Sequence, residues 1–74
     1  MEGDTMELQN RVKELRARFD LTQGMLADQV GVTRQTIAAI EKGDYTPSLL
    51  LGLKICEVFQ LKMEEVFWLR GGVE

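Results

Sequence analysis

Leu8, Val12, Leu15 and Phe19 recur at helical spacing with charged residues between them. This pattern predicts an amphipathic helix beginning at about Asn10, with Asn10 as its N-cap. A second helix is predicted to open at Thr22, whose hydroxyl suits a backbone N–H of the next turn, and to run to about Gln29. It would bury Leu26, Ala27 and Val30. Gly31 stands where a chain leaving a helix needs left-handed backbone, and Val32 follows as an apolar plug. Thr33 then caps a third helix that runs to about Glu41, buries Ile37 and Ile40, and stops at Lys42-Gly43-Asp44. A fourth helix is predicted with Thr46 as cap and Pro47 at its first position, reaching about Gln60. Its expected buried stripe is Leu49, Leu53, Cys56 and Phe59, with Gly52 beside it for close packing. Leu50, Leu51, Ile55 and Val58 are apolar too, more than one face can hold, which predicts burial of a second side against a partner chain. A last helix covers about Lys62 to Phe67. Phe67-Trp68-Leu69 either closes it or begins a short strand, and Gly71-Gly72 releases the tail. Met1 to Thr5 are polar, carry no period and are expected to fray.

Composition narrows the class. At 74 residues there is room for one small domain. A chain of this size buries only about 60% of its unfolded surface and is marginal alone. One cysteine makes no internal disulfide, and without histidine a zinc site is not expected. No apolar run approaches the roughly 20 residues of a membrane helix. Glu2 and Asp4 sit where a signal peptide would be positive, so a cytoplasmic location is expected. Catalysis is not expected either: histidine is absent, Ser48 is the one serine, and no glycine-rich phosphate loop occurs. No cofactor, metal or small-molecule ligand is implied.

The stretch from Leu21 to Lys42 carries the chemistry. Two short helices joined by a tight turn, the second with a polar tip, have the build of a helix-turn-helix DNA reader. A helix that enters the major groove needs a buried rear, a polar leading turn and small residues near the bases. Ile37 and Ile40 supply the rear, Arg34, Gln35 and Thr36 the leading turn, and Ala38 and Ala39 the small positions. Arginine pairs bidentately with guanine and glutamine with adenine. Thr33 and Gln23, each near a helix start, suit phosphate contacts, and Lys42 reaches another phosphate from the far end. Two amphipathic helices with a glycine turn also occur in ordinary bundles, and a Thr-Arg-Gln-Thr run is often only a solvated helix start. The composite of cap, turn glycine, polar tip, alanine pair and terminal Glu-Lys-Gly is more specific.

That composite resembles the Cro and phage-repressor type helix-turn-helix regulators, the XRE family, in their small stand-alone form. The matching run is Asn10-Arg-Val-Lys-Glu-Leu-Arg16, Leu21-Thr-Gln23, Ala27, Gly31-Val-Thr-Arg-Gln-Thr-Ile37 and Ile40-Glu-Lys-Gly43. It continues through Tyr45-Thr-Pro-Ser-Leu49, Leu53-Lys-Ile55 and Glu64-Glu-Val-Phe67. The resemblance implies an all-α, five-helix, lambda-repressor-like DNA-binding domain over residues 10–69, with room for a short C-terminal strand. Residues 1–9 are then a flexible or partly extended N-terminus and 70–74 a tail. The family is commonly dimeric, binds a two-fold operator and usually represses. Residue by residue, the resemblance places Gln23 on a phosphate, Arg34, Gln35 and Ala39 at base contacts, and Thr33 and Thr36 near the backbone or groove wall. Lys42 to Tyr45 align with a loop that meets the other side of the groove, and Arg16 and Glu41 with a structural ion pair. Gly24 departs from the family, which usually carries a helix former there, often glutamate. Ala39 offers only an apolar contact, such as a thymine methyl, so specificity is expected to rest on Arg34 and Gln35.

Cys56 is read as core filling. Leu51, Ile55, Phe67, Trp68 and Leu69 are read as the dimer contact, because aromatic anchors favour interfaces and the surplus apolar face of the fourth helix needs cover. Two readings follow: a homodimeric repressor of a double-stranded operator, or a protein-interaction module on the same fold, antitoxin-like or a co-regulator adaptor. The net charge of −3 is unusual for a DNA reader. Its distribution is polarised, with Arg11, Lys13, Arg16 and Arg18 in the first helix and Glu57, Glu64, Glu65 and Glu74 at the back. Affinity for duplex DNA, measured by fluorescence anisotropy against salt concentration, is therefore expected to fall steeply as salt rises.

Overall fold

The computed structural model describes residues 6–71; the expected fraying of Met1 to Thr5, and Gly72 with the rest of the tail, lie outside the described residues. The chain runs β1 (Glu7–Asn10), α1 (Val12–Arg18), α2 (Gln23–Val30), α3 (Arg34–Lys42), α4 (Leu49–Phe59), α5 (Met63–Val66) and β2 (Phe67–Arg70). The two strands pair antiparallel, with Glu7 opposite Arg70, Leu8 opposite Leu69, Gln9 opposite Trp68 and Asn10 opposite Phe67. The C-terminal strand thus finds its partner within the same chain.

The strand at the start corrects the first helix. Leu8 and Asn10 belong to β1, and the position before α1 is Arg11, which makes no side-chain cap bond. Asn10 still serves the helix start: its Oδ1 accepts the Val12 N–H at 3.0 Å while its Nδ2 donates to the Ile40 carbonyl, also at 3.0 Å. One side chain therefore ties the end of β1 to α1 and to the last turn of α3. The Arg11 N–H donates to the Val66 carbonyl at 3.0 Å, joining the same corner to α5.

Helices α2 and α3 follow their sequence signals closely. Thr22 Oγ1 accepts the Met25 N–H at 3.0 Å, and Thr33 Oγ1 accepts the Thr36 N–H at 3.2 Å. These bonds satisfy donors that a helix start leaves without partners. Gly31 (φ 79°) and Gly43 (φ 83°) end the two helices in left-handed backbone, where a Cβ is strained, and each N–H returns to the last turn of its helix.

Helix α4 departs from expectation at its start and in its rotation. Ser48, not Thr46, is the cap: its Oγ accepts the Leu51 N–H at 3.1 Å. Pro47 therefore precedes the helix. Leu51, Gly52, Ile55, Cys56 and Phe59 face inward, whereas Leu49 is 72% and Leu53 49% exposed. With leucine at 49, 50, 51 and 53, almost any rotation buries leucines, so periodicity does not choose between them. Packing against α2, Met63 and Phe67 chooses. Gln60 ends the helix in left-handed backbone (φ 57°) without a glycine. The last helix is shorter than the predicted Lys62 to Phe67; Lys62 precedes it, and its N–H is taken by Glu65 Oε1 at 2.8 Å.

The core is one cluster in which Leu15, Leu26, Ile37, Ile40, Ile55 and Phe59 are essentially sealed from solvent. Phe19, expected to be buried, is partly exposed and lies over Phe59 with ring centroids 5.3 Å apart. Cys56 is buried, with its Sγ 3.9 Å from Met63 Sδ, and burial pushes its thiol pKa up. The thiol thus stays in the neutral form that suits an apolar filler.

Gly24, in the first turn of α2, has open space where a side chain would start: a Cβ would meet only Thr22 Oγ1, at 3.9 Å. Gly24→Ala is therefore expected to stabilise the domain by about 0.5–1 kcal/mol through helix propensity, read from the urea unfolding midpoint.

Candidate nucleic-acid interface

Helix α3 has the division of surface that the sequence implies. Ile37 and Ile40 are buried, whereas Arg34 and Gln35 are exposed on the leading turn. Ala38 and Ala39 are half-buried beside them. The tip is organised by its own cap. Thr33 Oγ1 lies 3.0 Å from Thr36 Oγ1 and also accepts the Thr36 N–H, so both hydroxyls belong to one local hydrogen-bonded unit. That unit leaves Arg34 and Gln35 as the outward polar groups of the turn.

Concave surfaces flank the two ends of this helix. At its start, Arg34 shares a shallow groove with Thr22, Gln23, Gly24, Arg16 and Asp20, so the first turns of α2 and α3 open on the same side. At its far end, Lys42, Tyr45 and Thr46 line another groove together with β1, including Glu7 and Gln9. The candidate residues thus form two groups along α3: Gln23 with Arg34, and Lys42 with Tyr45. The contribution of β1 to the second group has no signal in the sequence pattern, because strand pairing brings it there.

An ion pair fixes the frame. Arg16 Nε donates to Glu41 Oε2 at 2.6 Å and Arg16 Nη2 to Glu41 Oε1 at 3.2 Å, a two-pronged contact between α1 and the last turn of α3. Arg16 Nη1 donates to the Leu21 carbonyl at 2.9 Å, in the turn before α2. Gln23 Nε2 donates to Glu41 Oε1 at 3.1 Å. The side chains of Arg16 and Glu41 are 15% and 5% exposed. Gln23, read from the sequence as a phosphate contact, is therefore also part of the knot behind the interface.

The expected dimer residues divide differently. Leu51, Ile55 and Phe67 are core residues of the single chain, at 8%, 0% and 6% exposure, and this corrects their reading as a contact surface. The reason is the rotation of α4 and the inward face of the strand pair. Trp68 and Leu69 remain exposed, and with them Leu49, Leu50 and Leu53. Leu8, Leu49, Trp68 and Leu69 line an apolar groove between the strands and the start of α4. Arg11, missed from the sequence, places its guanidinium carbon 4.9 Å from the centroid of the Trp68 ring, a cation–π contact. Among the described residues there is no acidic or cysteine cluster able to hold a metal ion, and no helix is long and apolar enough to cross a membrane.

A model of the helix-turn-helix family matches residues 12–66. The uncharacterized HTH-type transcriptional regulator YgzD of Bacillus subtilis is 69% identical over 62 residues, spanning 84% of this chain and 94% of the relative. An uncharacterized HTH-type transcriptional regulator of Archaeoglobus fulgidus is 52% identical over 60 residues, 81% of this chain and 84% of the relative. The restriction-modification controller protein C.AhdI of Aeromonas hydrophila has a similar structure, with a TM-score of 0.70 at 31% identity over 74% of this chain and 83% of that one. Transcriptional regulator VanUg is similar over 96% of this chain and 95% of its own, with a TM-score of 0.76 and 25% identity.

Removing Glu41 leaves a largely buried guanidinium without its carboxylate. Glu41→Ala is expected to cost about 3 kcal/mol in urea unfolding, and the paired change Arg16→Met with Glu41→Met markedly less, because no unpaired charge remains.

Proposed function

From the premise that this chain belongs to the XRE-type helix-turn-helix family of DNA-binding transcriptional regulators, which are not enzymes, we propose that it is a repressor that reads a specific operator as a homodimer. The observation that carries this reading is the exposed Arg34-Gln35 pair on a helix whose rear is buried and whose two ends are capped. Arg34 recognises guanine and Gln35 adenine through their major-groove edges, and Ala39 offers a methyl contact. Gln23, Thr33, Thr36, Lys42 and Tyr45 set the depth and angle of the helix through the backbone.

The homodimer is supported by the apolar groove at the strand pair, where Leu49, Trp68 and Leu69 stand exposed together. Contiguous apolar surface of this kind marks an interaction site. A two-fold dimer would present two copies of α3 to successive major grooves, roughly 34 Å apart. Repression follows from occupancy of a promoter operator, the usual action in the resembled family. The other reading, an adaptor that meets a protein partner, would use the same apolar groove and leave Arg34 idle.

Selection of bound sequences from a random duplex pool separates the two. The expected outcome is a palindromic motif that Arg34→Ala relaxes at one position per half-site, with a loss of about 1–3 kcal/mol in affinity. An absence of enrichment at low salt would favour the adaptor.

A further inference from the structure

We propose that Glu41 is a positioning residue for DNA binding, acting through Gln23; the proposal rests on the DNA-binding reading above. Glu41 faces away from solvent and does not itself reach a ligand. Its two oxygens are already committed, Oε2 to Arg16 Nε and Oε1 to both Arg16 Nη2 and Gln23 Nε2. A carboxylate only accepts hydrogen bonds. The Gln23 side chain must therefore turn its amide nitrogen toward Glu41, and the chemistry of the partner settles which way the amide lies. One N–H is consumed in that bond. The second N–H remains as a donor, on a residue that shares its groove with the exposed cation Arg34.

The constraint is relayed over three contacts. The Leu21 carbonyl holds Arg16 Nη1 at 2.9 Å, Arg16 grips the carboxylate at two points, and the carboxylate holds Gln23 at 3.1 Å. Each link sets the geometry of the next. A glutamine at the start of α2 would otherwise sample several rotamers and present either its donor or its acceptor to the groove. Phosphate takes only the donor. The bond to Glu41 narrows those rotamers before DNA arrives, and Arg16 balances the charge of the carboxylate.

The test is a double-mutant cycle in DNA affinity, using the duplex most enriched in the selection above and the full chain. Glu41→Ala alone is expected to weaken binding about two- to tenfold, the cost of ordering one long side chain at an interface. Gln23→Ala is expected to weaken it by at least as much. In the Gln23→Ala background, Glu41→Ala should change affinity by less than about twofold, because neighbours that act through one contact do not add. Its effect on the unfolding midpoint should persist in that background. An equal loss of affinity in both backgrounds would overturn the proposal and leave Glu41 a purely structural residue. If Glu41→Ala does not fold, the paired Arg16→Met, Glu41→Met variant takes its place in both backgrounds, with DNA affinity as the deciding reading. No enrichment of any duplex by the unaltered chain would overturn the DNA-binding reading itself, and this proposal with it.

Discussion

A single carboxylate sets the arrangement of the helices that matter. Glu41 belongs to α3, yet it is held by Arg16 of α1 and holds Gln23 of α2. An apolar core gives helices a distance and a preferred crossing, but it tolerates small slides and rotations. A two-pronged guanidinium contact has a fixed geometry and does not. The desolvation of such a pair offsets most of its attraction, so its main contribution is register rather than net stability. The two amphipathic helices of the motif pack on the same cluster as everything else. What distinguishes their pose is this knot behind the groove-facing side.

The backbone signals were legible because they are local. Thr22, Gly31, Thr33 and Gly43 act on residues no more than a turn away, and each occupies the position its chemistry suggests. The exposed Arg34-Gln35 tip was legible for the same reason. The rotation of α4 was not, because Leu49, Leu50, Leu51 and Leu53 are alike in hydropathy and only neighbours distant in sequence choose among them. Leu51 and Ile55, assigned to a partner surface, were claimed by the chain's own core for this reason, and Phe67 by the inward face of the strand pair. The role of Asn10 was half legible. Its side chain does bond the start of α1, but the strand that displaces it from the cap depends on a partner at the other end of the chain.

The acidic balance of the chain also looks different in three dimensions. Glu41, on α3 itself, has its side chain only 5% exposed and is matched by Arg16, while the exposed Asp20 lines the groove of Gln23 and Arg34. Glu14 is matched by Arg18, one turn further along α1, at 3.1 Å. Arg34 and Lys42, at opposite ends of α3, are exposed. A net negative chain can therefore still offer a helix whose own exposed charges, Arg34 and Lys42, are both positive, since net charge does not report distribution.

The strand pair has a consequence for how the domain comes into being. Glu7 lies opposite Arg70, a separation of 63 positions, so the first element described is completed by the last. Contacts of such long range are slow to form, because the chain must close almost its whole length before they reward it. During synthesis α3 and its caps emerge well before β2 exists. Until then β1 has no ladder and Arg11 no Trp68 ring to rest on. The α3 helix is therefore made before the clasp that closes the domain, in which the last four-residue strand fastens the first.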